Sequence, residues 1–389
     1  ILAVLAAVII IIFFIPYTAS GFAACGKLFS SLFGMNYMTA MIISAVVIVA
    51  YTTAGGFFAA SATDFVQSII MTVAIVFVLV FSTISAGGVD AVVENAKALP
   101  GYLSFTASYI EDTGKSEPYN LLHIITTLSW GLGYFGMPHI LLRFMAIEDE
   151  KKLKLSRRVA SVWVVIAMAM AVLIGIVGRA LSNTGLVDQL HGNDTETIIV
   201  RVAHLLSTYG AFPAIMAGLI LAGILASTMS TADSQLLAAA SSVSENILRE
   251  AFHLKISEKK SMLAARLTVI GIAVLGIIIA RNPDSSVFGI VSFAWAGFGA
   301  AFGPLVICAL FWKRTTLPGA IVGMVSGGAM VFIWKYLIKP IGGVFGIYEL
   351  LPAFLVGLVL MVIVSLCTKA PSKEITDEFD RVKAMGKAK

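Results

Sequence analysis

Long runs of apolar residues alternate with short polar segments along most of the chain. Each run holds roughly 18 to 25 residues, the length that crosses about 30 Å of hydrocarbon as an α-helix. Because a backbone in lipid must satisfy its own hydrogen bonds, the runs predict helices rather than strands. About ten membrane spans are predicted, at 1–24, 37–57, 64–87, 121–145, 157–181, 212–243, 262–280, 286–312, 317–337 and 350–368.

The composition supports a membrane protein and excludes a soluble fold. Apolar residues make up 59% of the 389 residues and charged residues only 13%, and the mean hydropathy is +0.95. Soluble domains carry about 25% charged residues. The chain begins at Ile1 inside an apolar run, without a basic segment or a small-residue cleavage site, which predicts a truncated start rather than a signal peptide. Cys25, Cys308 and Cys367 are scattered and give neither a disulfide framework nor metal-ligand spacing.

The positive charges set a topology. The net charge is +5, but the basic residues lie in loops, which argues against a nucleic-acid partner. If the sides of the membrane alternate from a cytoplasmic residue 1, most Lys and Arg residues fall on the cytoplasmic side, as the positive-inside rule requires. The predicted cytoplasmic segments are 143–160, 245–267, 313–314 and the charged C-terminal tail 368–389.

The first departure from a plain apolar helix is the segment TLSWGLGYFGMPH at 127–139. Glycines and Pro138 interrupt the span, while Trp130 and Tyr134 lie one helical turn apart. Unwound backbone inside a membrane offers carbonyls and amides to an ion or a zwitterion, and the aromatic rings would wall an apolar ring. A Pro kink with interfacial aromatic residues is the alternative.

The second departure is LASTMSTADSQLL at 225–237. Hydroxyl and carboxyl oxygens suit a hard monovalent cation because each replaces a water molecule of its shell. The pairs Ser230 and Ser234, and Ser227 and Thr231, each share a helix face, and Asp233 lies among them. Helix packing through small polar residues is the alternative.

Two further glycine-rich segments invite interpretation. A Gly55-Gly56 break precedes Asp64 at the start of the next span. Asp64 is predicted to cap that helix, and a carboxylate held near a helix N-terminus can also serve as a cation ligand. Gly297, Gly299 and Gly303 follow no strand and lack the spacing of a dinucleotide fingerprint, so they predict close helix packing.

Five segments in this order resemble the sodium/solute symporter family, and within it the proline carriers. They are YTTAGGFFAASATDFVQ, WGLGYFGMPHILLRFMA, ILASTMSTADSQLL, VSFAWAGFGAAFGP and PGAIVGMVSGG. The resemblance implies an all-α membrane protein with an inverted repeat of five plus five helices. The transporter domain would cover 1–367, with 1–87 as the remainder of the first repeat, 121–312 as the second and 317–367 as two peripheral helices. The first core helices would then be missing from this chain.

The same resemblance implies roles for individual residues. The proline-binding positions match Tyr17, Trp130, Tyr134 and Pro138. The sodium-binding positions match Ser230 and Thr231, the carbonyl of Ser227 and, as an acidic position, Asp64. Ser227 stands where the proline carriers have Ala, which leaves a carbonyl ligand intact. In some relatives an additional sodium site uses positions that match Asp64, Ser230, Asp233 and Ser234, but Asp233 replaces a hydroxyl there, which speaks against a second ion.

The function implied is sodium-coupled symport of L-proline across the cell membrane, with Na⁺ as the coupling ion and no other cofactor. Another small solute, such as a different amino acid, a sugar, pantothenate or sialic acid, is the alternative within transport, and an ion channel is the alternative outside it. An enzyme is not expected, because the five His residues form no metal-ligand pair at helical spacing and no HExxH or GxSxG sequence occurs.

Overall fold

The computed structural model describes residues 1–111, 113–254 and 257–387, without the side chains of 55–59, 250, 251, 386 and 387. Its α-helices are α1 Leu2–Phe33, α2 Tyr37–Ser85, α3 Val89–Ala98, α4 Leu121–Leu128, α5 Trp130–Gly133, α6 Pro138–Met145, α7 Leu153–Asn183, α8 Ile198–Ser207, α9 Ala211–Ser241, α10 Glu258–Ile279, α11 Val287–Phe311, α12 Leu317–Ile333, α13 Leu350–Cys367 and α14 Lys373–Lys387. Two short strands, β1 Ala107–Ile110 and β2 Lys115–Pro118, pair in antiparallel fashion between α3 and α4. The sequence pattern did not predict this hairpin.

Nine segments of the described chain are long and apolar enough to cross a membrane. The tenth predicted span, 121–145, consists of α4, α5, a 3₁₀ turn at Tyr134–Gly136 and α6, so it is broken where the sequence predicted. Helix α2 contains two apolar halves, Tyr37–Ala54 and Ala60–Ser85. The prediction of a helix break at Gly55-Gly56 is wrong, because α2 continues as one α-helix from Tyr37 to Ser85. The chain is therefore a multi-pass helical membrane protein, and its division into two repeats stays a prediction.

Helix α11 lies at the centre of the bundle, packed against α1, α12 and α13. Glycine makes this closeness feasible: a Cβ added at Gly297 would lie 2.1 Å from the ring of Phe13, and one at Gly303 would lie 2.6 Å from the ring of Phe354. In lipid, where apolar surface alone drives little association, such close van der Waals contact holds helices together. The packing interpretation of the α11 glycines is confirmed.

Helix α1 joins the centre to the other long helices. It packs against α2, α9, α10 and α11, and the buried Thr18 hydroxyl donates to Gln235 Oε1 of α9 at 3.3 Å. By contrast α7 is largely exposed along its apolar window, as expected for a helix that faces lipid.

Two of the predicted cytoplasmic segments, the α11–α12 loop and the C-terminal tail, contact each other. Lys313 forms an ion pair with Asp380 of α14, and Arg314 donates to the carbonyl of Thr368 at 2.7 Å. The tail is thus a helix attached to the α11–α12 loop.

Candidate functional site

The broken helix carries a cluster of stacked aromatic rings. The ring of Trp130 stacks on those of Trp295, Phe288 and Tyr348, with centroids 5.2, 5.5 and 5.8 Å away. Tyr134 meets Trp295 edge-on at 4.7 Å. Trp295 Nε1 also donates to the carbonyl of Trp130 at 3.0 Å, which fixes the ring relative to the backbone. The two aromatic residues predicted to share a face therefore share one partner on α11.

Glycines bring the broken helix against α11. A Cβ at Gly133 would lie 1.9 Å from Trp295 Nε1, and one at Gly136 would lie 2.2 Å from the carbonyl oxygen of Phe298. Both contacts are closer than any side chain allows. The glycines thus give the broken segment direct contact with the central helix, in addition to weakening its helix propensity.

The backbone between Gly133 and Pro138 is irregular. The α-helical turn ends at Gly133, a 3₁₀ turn follows, and Met137 is extended at φ −81° and ψ 108° before Pro138 starts α6. Because Pro138 has no N–H, the carbonyl of Tyr134 lacks the donor that a continuous helix would provide. The break therefore replaces regular α-helix by a 3₁₀ turn and one extended residue.

Tyr17 of α1 lies beside this break. Its ring meets that of His139, the residue after Pro138, edge-on at 6.0 Å, and its phenol lies close enough to Tyr134 for the two to interact electrostatically. The four residues matched to proline binding therefore fall into two neighbouring groups, Trp130 with Tyr134, and Tyr17 with Pro138.

A cavity of about 460 Å³ adjoins the aromatic cluster. Its walls include Trp130 and Phe288, Ala24 and Leu28 of α1, and Ile224 of α9. Ile224 directly precedes the predicted cation-binding segment 225–237 of α9, so the cavity reaches the helix that carries that segment.

On α9, three oxygen-bearing groups converge. The hydroxyls of Ser230 and Thr231 both donate to the carbonyl of Ser227, at 3.2 and 3.1 Å. The carbonyl and both hydroxyls thus lie within one helical turn, and each hydroxyl keeps lone pairs for a cation. The three predicted ligands therefore lie close together on α9, and their role in binding sodium stays a prediction.

Asp64 belongs to a second group, together with Ser234. Arg143 of α6 donates through Nη2 to Asp64 Oδ2 and also to Ser234 Oγ, the latter at 2.8 Å. The other carboxylate oxygen of Asp64 is buried, and no donor among the described residues reaches it. The helix-capping interpretation of Asp64 is therefore wrong, because its carboxylate accepts from a guanidinium instead of backbone amides.

Asp233 is fully buried. The Tyr51 hydroxyl donates to Asp233 Oδ2 at 2.8 Å and lies 3.1 Å from the carbonyl of Met229. Ser234 Oγ lies 3.3 Å from the other carboxylate oxygen. A buried carboxylate needs such partners.

Sequence reasoning gave no role to Arg143, Tyr51 or Trp295, which complete these groups. Arg143 did carry a signal, a cation inside an apolar span that also holds the break, and intramembrane ionisable residues mark functional sites. Nothing local in the sequence identified its partners.

Comparison with known proteins identifies the family. The sequence model of the sodium:solute symporter family matches residues 1–327. The chain belongs to this family. Its symporter relatives include several carriers of proline.

Sodium/proline symporter 2 of Staphylococcus saprophyticus is 37% identical over 390 residues, covering 99% of this chain and 73% of the relative. The osmoregulated proline transporter OpuE of Bacillus subtilis is 39% identical, covering 96% of this chain and 72% of the relative. The high-affinity proline transporter PutP of Bacillus subtilis is 38% identical, covering 96% and 74%.

A solved structure of a Na⁺-coupled sialic acid symporter, in a substrate-bound outward-open state, superimposes with a TM-score of 0.74. It covers 95% of this chain and 75% of the other, at 18% sequence identity. At that identity the likeness establishes the fold, which confirms the predicted helical sodium-symporter fold.

Proposed function

We propose that this symporter carries L-proline across the cell membrane together with sodium, by alternating access. The observation that carries the proposal is the cavity of about 460 Å³ between Trp130 and Ile224. Its aromatic wall lies on the broken helix. Its wall residue Ile224 lies three residues before Ser227 on α9, the helix that also carries Ser230 and Thr231. The similarity to proline transporters over 96 to 99% of the chain supports proline as the solute.

The aromatic wall suits the proline ring. Tyr134 is 43% exposed and contacts Trp295, which stacks on Trp130. We expect a pyrrolidine ring to pack against this exposed aromatic surface. We expect carbonyls of the irregular segment between Gly133 and Pro138 to accept from the secondary ammonium group. Residues Tyr17 and Pro138 would close the other side of the binding site.

The sodium ion is assigned to the carbonyl of Ser227 and the hydroxyls of Ser230 and Thr231. These are neutral oxygen ligands, which suit a monovalent cation. The second group of polar residues, Asp64 and Ser234, already binds a positive charge of the protein, the guanidinium of Arg143. We therefore expect one coupling sodium ion, and no second ion at Asp64 or Asp233.

Coupling follows from linkage. If sodium and proline both favour the outward-open form, each tightens the binding of the other by the same factor. The cytoplasmic position of the tail 368–389 follows from the positive-inside rule and is part of the proposal.

The test is sodium-gradient-driven uptake of labelled proline by the full-length protein in proteoliposomes. Thr231→Ala removes one sodium ligand and should raise the sodium concentration for half-maximal uptake about tenfold, equivalent to about 1.4 kcal/mol. Thr231→Ser keeps the hydroxyl and should stay near wild type. Thr268→Ala is the matched control, because the Thr268 hydroxyl makes the same kind of bond, to the carbonyl of Ala264, on α10.

An unchanged sodium dependence in Thr231→Ala rejects the sodium assignment. A panel of unlabelled competitors tests the solute, namely other amino acids, glucose, pantothenate and sialic acid. Stronger competition by any of these than by proline rejects proline. Flux that does not saturate with solute, or sodium current without solute, identifies a channel instead.

A further inference from the structure

A second and larger cavity lies on the outside of the bundle, away from the aromatic cluster. Its volume is about 770 Å³, and it runs between α1, α10, α11 and α12. Apolar side chains form its walls, among them Ile12, Ile278, Ile290 and Phe293. Exposed fractions of 42% for Ile12 and 53% for Ile278 show that the crevice is open to the surroundings.

All four walls belong to membrane-spanning segments. The medium at the mouth of the crevice is therefore hydrocarbon, and a lipid chain is the molecule available to fill it. An apolar crevice alone would accept the acyl chain of any lipid. Selection of one headgroup requires a charged residue at the crevice.

Lys335 lines the same crevice. It lies six residues before the end of the span Leu317–Ile341, in a π-helical turn at Trp334–Ile338. Such turns are rare and are frequent at functional sites. An ammonium group at this depth requires an anion or an outlet to the interface.

The described residues provide Lys335 with aromatic rings and no ion pair. Its Nζ lies 4.1 Å from the ring centroid of Phe293 and 5.9 Å from that of Tyr336. The nearby carboxylate of Glu349 is already bound by Lys339, at 3.0 Å. The positive charge of Lys335 is thus available to an external anion.

We propose that this crevice binds one anionic phospholipid, with an acyl chain between α1, α10 and α11 and the headgroup phosphate on Lys335. The hydroxyl of Ser285, which also lines the crevice, is a second donor to the headgroup. The crevice lies toward the side of the membrane on which α1 ends and α11 begins. This side is opposite to the Lys- and Arg-rich loops. Anionic lipid is preferred over phosphatidylcholine because the choline cation would oppose Lys335.

The binding site adjoins the transport machinery. Pro16, which borders the crevice, precedes Tyr17 in α1. A bound acyl chain would therefore pack against the same turn of α1 that faces the broken helix.

Native mass spectrometry of the full-length protein tests the proposal, after equilibration in micelles with equal amounts of phosphatidylglycerol and phosphatidylcholine. The wild-type protein should retain one molecule of phosphatidylglycerol in preference to phosphatidylcholine. Lys335→Gln should lower its affinity about fivefold, the factor expected for one Lys contact with anionic lipid. Lys335→Arg keeps the charge and should retain the lipid. Lys97→Gln, an exposed lysine of α3 on the same side, is the charge-matched control.

A second variant tests the acyl chain independently of the charge. Ile278→Trp narrows the crevice and should reduce retention of both lipids, while Val162→Trp on the exposed face of α7 should change neither. Equal retention by wild type and Lys335→Gln overturns the headgroup assignment. Loss of both lipids to the same extent in Lys335→Gln also overturns it, because a headgroup contact must discriminate. Unchanged retention in Ile278→Trp overturns the crevice as the location.

Discussion

Glu196 offers a sharp test of how the end of the bundle beside the cavity is held together. Its carboxylate accepts from Lys27 Nζ of α1 at 2.9 Å and from Ser286 Oγ at 2.8 Å. It also accepts from the amides of Val287 and Phe288, both at 3.1 Å, and so caps α11. One carboxylate therefore ties the end of α1 and the start of α11 to the segment before α8.

The pKa of Glu196 lies below its ordinary value. Partial burial raises the pKa, and the bonds from Lys27, from the two amides and from Ser286 together outweigh that effect. Since the folded pKa is below the unfolded value of about 4.3, the stabilisation is fully present above that pH. It is lost as the pH falls through the folded pKa.

Glu196→Gln keeps an acceptor oxygen but removes the charge. We expect a loss of about 2 kcal/mol in the free energy of unfolding at pH 7, the scale of hydrogen bonds to a charged group, reduced by partial exposure of the ion pair. With an unfolding entropy of about 2.1 cal/mol/K per residue, this corresponds to a Tm about 2 to 3 °C lower.

The assay is thermal unfolding of the purified protein between pH 7 and pH 3.5. The Tm difference between wild type and Glu196→Gln should shrink on the acid side, as the wild-type carboxylate takes up a proton. Glu94→Gln, an exposed position on α3, is the control and should leave the Tm unchanged. Equal Tm values at pH 7, or a difference that persists unchanged at pH 3.5, would refute the reasoning.

Three further predictions concern the site. Gly133→Ala places a Cβ 1.9 Å from Trp295 Nε1 and should displace that ring. Thermal unfolding should show a loss of about 1–3 kcal/mol in stability, and transport assays should show weaker proline uptake. Tyr134→Ala should weaken proline binding about two- to tenfold, the scale of one aromatic contact, without a comparable change in sodium affinity, and calorimetric titrations of both ligands check this. Tyr51→Phe leaves the buried Asp233 without its hydroxyl donor and should cost about 1–3 kcal/mol of stability, whereas equal stability would show that another group replaces the bond.

Much of the fold could be predicted from the sequence because its signals are local. A span requires only a run of apolar residues, and the break at 131–138 requires only glycines and a proline within such a run. The oxygen groups of Ser227, Ser230 and Thr231 were predictable for the same reason, since they lie within one helical turn. The β1–β2 hairpin escaped prediction because each of its strands has only four residues and borders no apolar run.

The partners of the site residues could not be predicted, because folding brings them from distant parts of the chain. Trp295 is 165 residues away from Trp130, and Tyr51 is 182 residues away from Asp233. No periodicity or spacing carries such information. The sequence therefore predicted only the part of the aromatic wall that lies on the broken helix. It did not predict Trp295, the ring that holds this wall in place.

Asp64 shows most clearly why the chemistry of a site needs the fold. The local sequence predicts that Asp64 is a helix cap or a cation ligand. Both interpretations consider the carboxylate without any partner from elsewhere in the chain. The structure adds Arg143, 79 residues along the chain, as a cation that the protein provides itself. A sodium ion bound to Asp64 would be repelled by that guanidinium. Arg143 is neither a predicted ligand nor a neighbour of one in sequence, yet its charge decides where we expect the coupling ion.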